Sequence, residues 1–190
     1  SMDGRLNTTI ALFKMEKSNI LTADPVNAGE SAALGEAESE GLEIDITGEL
    51  SDSVDMVFSY AYVDAGTSTD LYNFDWAVNL PAGSELVNVP ENSANLMLTK
   101  QFNINGADAS LGFTINYVDD RLGETIDPTY RLPEYTLVNL FGSYQLNDQV
   151  KLTMNIDNLF DEKHYVSSYH KWWTTPGTPT SYVMGVTYAF

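Results

Sequence analysis

The sequence predicts an all-β protein, folded as an antiparallel up-and-down meander of about eight strands. Three observations lead to this prediction. Apolar and polar residues alternate with a period of two along several segments, each about ten residues long, which places one set on each face of a strand. Long and short polar connections alternate between these segments. Signals for helices are scarce.

The first three predicted strands are residues 5–17, 41–50 and 55–63. The second gives the clearest pattern, because Leu42, Ile44 and Ile46 alternate with polar residues. In the third, one face carries large side chains and the other smaller ones; the large ones are Met56, Phe58, Tyr60 and Tyr62. Each strand therefore has two unlike faces.

The other five predicted strands are residues 93–102, 109–118, 135–145, 150–158 and 180–190. Two of them show the alternation best. In 109–118 the large apolar positions are Leu111, Phe113, Ile115 and Tyr117. In 180–190 they are Tyr182, Met184, Val186, Tyr188 and Phe190.

The connections are of two kinds. Residues 51–54, 103–108 and 147–149 are short polar turns of hairpin type. Residues 21–35, 64–91, 119–131 and 161–179 are long links. In a meander this strict alternation places every long link at one end of the sheet, an asymmetry typical of outer-membrane barrels.

Charge and composition exclude several classes of protein. The chain has 190 residues, with 27 acidic and 9 basic side chains and a net charge of −18. The surplus of acid speaks against nucleic-acid binding, since phosphate contacts need Lys and Arg. A hydrophobic content of 43% favours a folded chain. The absence of cysteine excludes disulfides, thiol catalysis and Cys-ligated zinc, and no apolar run is long enough for a membrane-spanning helix.

The chain is expected to form one domain or one piece of a larger domain. Residues 1–2, Ser1 and Met2, look like the remnant of a cleaved expression tag. Residues 3–190 then form a single unit, because no linker divides them.

An ordered series of motifs resembles the barrel of TonB-dependent receptors. The matching stretches are residues 35–43, 48–52, 59–62, 90–94, 117–123, 132–139, 155–161 and 186–190. Within them the family-motif residues are Gly41, Glu43, Asn158, Leu159, Phe160, Asp161 and Phe190. One departure is Pro179-Thr180, where iron-siderophore receptors commonly have Pro-Arg, so the ligand subclass stays open.

The resemblance implies both a fold and partners. The chain would be the C-terminal segment of a transmembrane β-barrel of about 22 strands that is closed by an N-terminal plug. It would lie in the outer membrane of a Gram-negative bacterium, among outer-membrane lipid, and would help to import a bulky scarce nutrient, first of all a ferric siderophore. The TonB complex would act through the N-terminal part, and the barrel-assembly machinery through the strand that ends in Phe190. The resemblance implies no cofactor and no catalysis.

Candidate ligand-binding residues lie in the two last links. They are Asp119, Arg121, Tyr130, Tyr169, His170, Trp172 and Trp173. Aromatic side chains on a long loop offer stacking area for a chelate or a sugar, or else they form an interfacial girdle. Asp119, Asp120 and Arg121 contact a ligand or pair with one another.

No metal site or catalytic site is predicted. His164 and His170 lie near acidic residues, but no third ligand at suitable spacing accompanies them. Ser167 and Ser168 lack the turn motif of a hydrolase nucleophile. The acidic side chains Glu43, Asp45 and Glu49 fit the wet wall of a barrel lumen, or less well a cation site.

Two other classes of protein compete with a membrane receptor. A soluble small β-barrel or sandwich would bind Ca²⁺ or carbohydrate, and an adhesin or pore would lack a plug. The soluble fold requires a second layer over the apolar face, made by Leu42, Ile44, Ile46, Leu111, Phe113 and Ile115. A membrane protein leaves that face as one exposed band.

Overall fold

The structure is a computed structural model and describes residues 5–24, 26–27, 29–73 and 78–190. The expected tag remnant at residues 1–2 lies outside these ranges. The described residues form strands and no helix: β1 (Leu6–Ala23), β2 (Ser31–Ser51), β3 (Val54–Thr67), β4 (Leu71–Asn73), β5 (Val78–Leu80), β6 (Asn92–Ile104), β7 (Ala107–Val118), β8 (Arg121–Leu122), β9 (Arg131–Leu132), β10 (Tyr135–Asn147), β11 (Val150–Asp157), β12 (Tyr165–His170), β13 (Trp173–Pro176) and β14 (Ser181–Tyr188).

Eight of these strands form one antiparallel sheet. Its order is β1-β2-β3-β6-β7-β10-β11-β14, so each strand pairs with the next long strand in the chain. The predicted meander of eight strands is confirmed. The six short strands form three small hairpins inside the long links: β4 with β5, β8 with β9, and β12 with β13.

The predicted link at residues 21–35 is wrong in extent. β1 and β2 stay paired as far as Ala23 opposite Ser31, which leaves only residues 24–30 as the connection. These outer residues are mostly small or polar and show no alternation. Most of their side chains are exposed, and β4 covers them only locally, at Thr22. This part of the ladder therefore needs no continuous apolar side, and the sequence pattern ends before the strands do.

The register gives the sheet one apolar face and one polar face. Directly paired residues share a face, and one such row is Ile46, Phe58, Leu96, Ile115 and Val138. A row on the opposite face is Asp45, Ser59, Asn95 and Asn116. These rows agree with the predicted division into an apolar and a polar face, although the polar face also carries Met97, Leu137 and Phe141.

Within the described ranges, no second layer covers the apolar face. Leu111 is 47% exposed, and the other residues of the expected band are half-buried. Among the described residues, the buried hydrophobic side chains are only Ala109, Leu122 and Leu132. The sandwich alternative therefore lacks its second sheet. In the described part of the chain, no helix has the length and apolar character to cross a bilayer.

On the β1–β2 hairpin the apolar face gives way to charge. The pair Leu12 and Leu42 is followed by Lys14 opposite Glu40. The Nζ atom of Lys14 lies 3.0 Å from Glu38 and 3.6 Å from Glu40. The hairpin thus continues past the apolar band with a polar surface.

Gly41, one of the family-motif residues, makes room for an aromatic ring. It pairs with Phe13 on the polar face. A Cβ atom at this position would run into the carbonyl oxygen of Tyr62 and lie 2.8 Å from the Phe13 ring. Only glycine allows this close approach.

All long links lie at one end of the sheet, as predicted. They are residues 24–30, 68–91, 119–134 and 158–180, called here the first to fourth links. The other end has tight turns. At one of them Asn105 and Gly106 both have positive φ (52° and 89°), as a two-residue type I′ hairpin requires.

Candidate ligand-binding rim

The fourth link begins at Asn158, which is 3% exposed and has a positive φ of 51°. Its Nδ2 donates to the carbonyl oxygens of Glu162 (2.9 Å) and Thr178 (3.1 Å), and its Oδ1 accepts from the N–H of Glu162 (2.8 Å). Its own N–H donates to Oδ1 of Asn139 (2.8 Å). Asn158 therefore holds both ends of the fourth link against the sheet.

The other residues of this motif complete the same junction. Leu159 N–H donates to the carbonyl oxygen of Val138 (2.8 Å), and Asp161 Oδ1 accepts from the N–H of Thr180 (3.1 Å). Phe160 is 74% exposed. The base of the fourth link is therefore held by hydrogen bonds of Asn158, Leu159 and Asp161.

Arg121, predicted as a ligand-binding residue, is 2% exposed. Its Nη2 donates to the carbonyl oxygens of Tyr165 (2.7 Å) and Val166 (3.0 Å), and its guanidinium carbon lies 5.6 Å from the centroid of the Tyr135 ring. The third link is thereby fastened to β12.

Among the described residues, no ion pair joins Asp119, Asp120 and Arg121, although the N–H of Asp120 donates to Oδ1 of Asp119 (3.0 Å). Asp119 also accepts hydrogen bonds from Asn92 (2.8 Å) and from the hydroxyl of Tyr117 (3.2 Å). The bond from Asn92 holds the pKa of the Asp119 carboxyl below its usual range. Each of the three residues therefore has partners outside this group.

Asp120 binds Arg131, which also donates from Nη1 to Glu85 (2.9 Å). The two carboxylates raise the pKa of Arg131, the bond with Asp120 more than the bond with Glu85. Arg131 therefore joins the third link to the second.

Asn88 joins the second link to the other two. Its side-chain amide donates to the carbonyl oxygen of Ser168 (2.7 Å) and accepts from the N–H of Ser168 (2.8 Å). Its backbone N–H donates to Leu122 (2.9 Å). Leu122 and Leu132 are 6% and 0% exposed, so the second, third and fourth links enclose a small apolar core of their own.

Glu124, which sequence reasoning did not single out, is 1% exposed. Its Oε2 accepts from the N–H of Lys171 (2.7 Å) and lies 3.4 Å from Nε2 of His170. The Nζ atom of Lys171 is 4.0 Å from Oε1 of Glu124 and 3.8 Å from Oδ2 of Asp127. No spacing in the sequence indicates these contacts, because they join residues of two links.

Four of the predicted residues form one cluster, the aromatic platform: Tyr169, His170, Trp172 and Trp173. Ring centroids are 6.0 Å apart for Tyr169 and Trp173, 5.1 Å for His170 and Trp172, and 6.0 Å for His170 and Trp173. The side chains of Tyr169, Trp172 and Trp173 are 66%, 81% and 63% exposed. This is a large aromatic surface held at the rim.

Tyr130, also predicted, is half-buried beside the platform. Its hydroxyl is 2.7 Å from the hydroxyl of Thr174, the residue after Trp173. Five of the seven predicted residues therefore lie together, while Asp119 lies at the base of the third link and Arg121 in the interior.

The two histidines occupy separate surroundings. His164 packs against the ring of Tyr135 (4.7 Å between centroids), whereas His170 contacts Glu124. Among the described residues there is no group of three His, Asp or Glu side chains placed to hold a metal ion.

The polar face carries an open hollow of about 400 Å³. Its polar lining comes from Glu43, Asp45, Ser59, Asn95 and Asn116. Both carboxylates are exposed, and small side chains leave the space open. This geometry suits a solvated wall.

The comparisons with known proteins agree with these features. The family model "TonB dependent receptor-like, beta-barrel" matches residues 2–159. The metal-pseudopaline receptor CntO of Pseudomonas aeruginosa is 39% identical over 189 residues, which are 98% of this chain and 25% of that protein. The probable TonB-dependent siderophore receptor PiuA of Acinetobacter baumannii is 26% identical over 202 residues, covering 100% of this chain and 25% of that protein.

Solved structures of receptors share the fold. The crystal structure of the siderophore receptor PiuA from Acinetobacter baumannii superposes with a TM-score of 0.81 at 25% identity, over 98% of this chain and 26% of that one. BauA, the ferric preacinetobactin receptor of the same organism, also gives 0.81, at 21% identity over 97% of this chain and 27% of that one, and shows the fold alone.

The chain spans about a quarter of the length of the curated relatives it matches, 25% for both CntO and PiuA. Its two-faced meander and one-sided links correspond to the barrel portion of these proteins. The family model covers most of the chain, and the resemblance in the sequence motifs is confirmed. The chain belongs to the TonB-dependent receptor family and forms part of its β-barrel.

Proposed function

We propose that this chain supplies the wall and ligand-facing loops of a receptor that imports a bulky, scarce metal chelate, with a ferric siderophore as the first candidate. TonB-dependent receptors are outer-membrane β-barrel proteins of Gram-negative bacteria. The observation that supports the ligand class is the exposed aromatic platform, at the end of the sheet where all long links gather.

The platform has the properties of a preformed binding surface. Flat aromatic side chains offer large contact area and few rotatable bonds, so little conformational entropy is lost on binding. The second, third and fourth links are hydrogen-bonded to one another, which limits the reorganisation that a ligand must cause.

The direct contacts are proposed for Tyr169, Trp172 and Trp173, the most exposed members of the predicted set. Tyr130 would border the surface. Arg121 and His170 are buried and would act by holding the links, and Asp119 by fixing the base of the third link. In the relatives, the named ligands are metal-pseudopaline for CntO and, for PiuA, a siderophore.

The remaining partners follow from the same proposal. The apolar face would contact outer-membrane lipid. The final strand β14, together with the fully exposed Phe190 that follows it, would be recognised by the barrel-assembly machinery. The TonB complex would act on a plug in the longer receptor. The chain would change no covalent bond, so the receptor would be a transporter and not an enzyme.

The test uses the gene of the full-length receptor in its own host. A deletion strain is complemented with the wild-type gene, and uptake of radioactive iron is measured under iron limitation for a panel of hydroxamate, catecholate and carboxylate chelates. We expect receptor-dependent uptake of at least one chelate. Complementation with the double variant Trp172→Ala/Trp173→Ala is expected to reduce that uptake about tenfold or more, since each stacking contact is worth about 0.5–1.5 kcal/mol beyond buried area.

The matched control is Phe160→Ala, which removes an exposed aromatic ring of the same link outside the platform. Uptake by this variant is expected to stay at the wild-type level. The same cells are assayed for zinc, nickel and cobalt by mass spectrometry. Uptake of one of these metals without iron would replace the ferric ligand by another metal chelate, and no receptor-dependent uptake of any metal would contradict the proposal.

A further inference from the structure

Glu124 is buried in the loop cluster, and the proposed function gives it no contact with ligand. Removing a carboxylate from water is costly unless hydrogen bonds hold its charge. Here Oε2 accepts the N–H of Lys171 at 2.7 Å, and Oε1 forms no hydrogen bond within the described part of the chain. Because the buried carboxylate depends on the groups around Oε2 to compensate its charge, those groups are held in a defined geometry around it.

The atoms around Oε2 belong to the turn of the β12–β13 hairpin. Nε2 of His170 lies 3.4 Å from Oε2 of Glu124. On the opposite side of the imidazole, Nδ1 lies 3.3 Å from the N–H of Trp172 and can only accept its hydrogen. The other edge of the ring, with Nε2, faces the Glu124 carboxylate. Both ring nitrogens are held.

The tryptophans of the platform pack against this imidazole. His170 contacts Trp172 and Trp173, and Tyr169 lies stacked on Trp173 with 25° between the ring planes. A continuous series of contacts thus runs from a buried carboxylate in the third link to the exposed rings of the fourth.

We propose that Glu124 is the positioning residue of the aromatic platform. Its carboxylate orients His170 and the turn at residues 171–172, and the indole rings of Trp172 and Trp173 take their orientation from these two. The importance of this orientation for ligand binding rests on the proposed function. The positioning itself is a property of the receptor without ligand.

The experiment is fluorine NMR on the full-length receptor in detergent micelles, labelled with 5-fluorotryptophan. The variants Trp172→Phe and Trp173→Phe assign the two resonances. In Glu124→Ala we expect both resonances to shift towards the position of a freely solvated indole, with the other tryptophan resonances unchanged. Glu124→Gln keeps the shape of the side chain, an oxygen that accepts from the N–H of Lys171 and a polar group beside Nε2 of His170, so its spectrum is expected to match the wild type.

Asp127→Asn is the matched control. Asp127 approaches the same lysine, at 3.8 Å from Nζ, and its other side-chain oxygen accepts hydrogen bonds from Thr129. Its spectrum is expected to be unchanged.

Two results would overturn the proposal. One is a Glu124→Ala spectrum in which the Trp172 and Trp173 resonances keep their wild-type positions. The other is a change of all tryptophan resonances together, which would make Glu124 a residue of general stability. A receptor that imports no chelate but passes this test would lose its proposed function and keep the role of Glu124.

Discussion

At the scale of single residues, polar side chains organise the rim. The exposed aromatic residues could be predicted, because aromatic residues in a long polar link stand out in a sequence. Glu124 and Asn88 could not, since Asn88 bonds to Ser168 across 80 residues and such a contact leaves no local pattern. Arg121 was predicted to bind ligand because it is charged. Its burial instead gives it a structural role between two links.

The first prediction at this scale concerns Asn158. Asn158→Ala removes three hydrogen bonds between the side chain and the backbone of Glu162 and Thr178. We expect the free energy of unfolding to fall by about 1.5–4.5 kcal/mol, since each lost hydrogen bond is worth about 0.5–1.5 kcal/mol. Urea unfolding of the receptor in detergent, followed by fluorescence, measures this loss.

Asn158→Asp separates the two kinds of bond. It keeps the acceptor for Glu162 but sets a carboxylate oxygen against the carbonyl oxygens of Glu162 and Thr178, so a stability no higher than that of Asn158→Ala is expected at neutral pH. Phe160→Ala, at an exposed position of the same motif, should be near neutral. Equal stability of wild type and Asn158→Ala would contradict the structural role of this motif.

At the scale of elements, the long strands were predictable and the short ones were not. A strand such as β7 has one apolar and one polar face. Apolar and polar residues therefore alternate along its sequence with a period of two. The hairpins β4–β5, β8–β9 and β12–β13 have few residues and no face to bury. Their sequences therefore show no alternation from which strands could be predicted. The outer part of β1–β2 was missed for the same reason.

A pH prediction belongs to the third link. The pKa of Asp119 is lowered chiefly by its bond from Asn92, and the pKa of Asp127 by its bonds with Thr129. A carboxyl with a lowered folded pKa adds stability above its ordinary pKa of 3.8, and this stability is lost as the pH falls through the lowered value. The link should therefore stay ordered from neutral pH down to 3.8 and loosen only below it.

A nitroxide label at the exposed position 126, placed by Ile126→Cys, reports the mobility of this link by electron paramagnetic resonance. Asp119→Asn has no carboxyl to protonate at this position, and its acid transition is expected to be smaller. A rise in mobility between pH 7 and pH 5 would be inconsistent with the lowered pKa values.

At the scale of the whole molecule, the eight-stranded sheet forms a segment of the wall of a β-barrel. One face is mainly apolar and the other mainly polar. In the part of the chain that the structure describes, no second sheet covers the apolar face, and β1 and β14 each pair with a strand on one side only. The sequence predicted the two faces because burial in lipid and contact with water select opposite side chains. The hydrogen bonds that join the second, third and fourth links could not be predicted from the sequence, because they connect residues far apart in the chain.

Charge on the apolar face tests the membrane orientation. Leu96→Arg, near the centre of the face, is expected to destabilise the receptor by about 2–4 kcal/mol, the cost of a cation at the bilayer midplane. Asn95→Arg places the same charge on the polar face, where it should be tolerated. The amount of folded receptor in outer membranes, read from heat-shifted mobility on gels, gives the comparison; equal losses would contradict the assignment of faces.

The unpaired edges predict how residues 3–190 behave alone. Strand edges expose N–H and C=O groups that pair with any available strand. The isolated segment is therefore expected to need detergent or to associate through β1 and β14. Light scattering that shows a monodisperse monomer in plain buffer would be the contrary result.

The length of the β1–β2 hairpin affects which part of the receptor an antibody could reach on an intact cell. Past the Leu12–Leu42 pair, the ladder runs on to Ala23 and Ser31, roughly 35 Å further at the usual rise per residue. We expect this outer part of the hairpin, called here the mast, to extend beyond the bilayer, because Lys14, Glu38 and Glu40 follow the apolar band with charge. A nanobody raised against the mast should stain living bacteria without blocking nutrient entry.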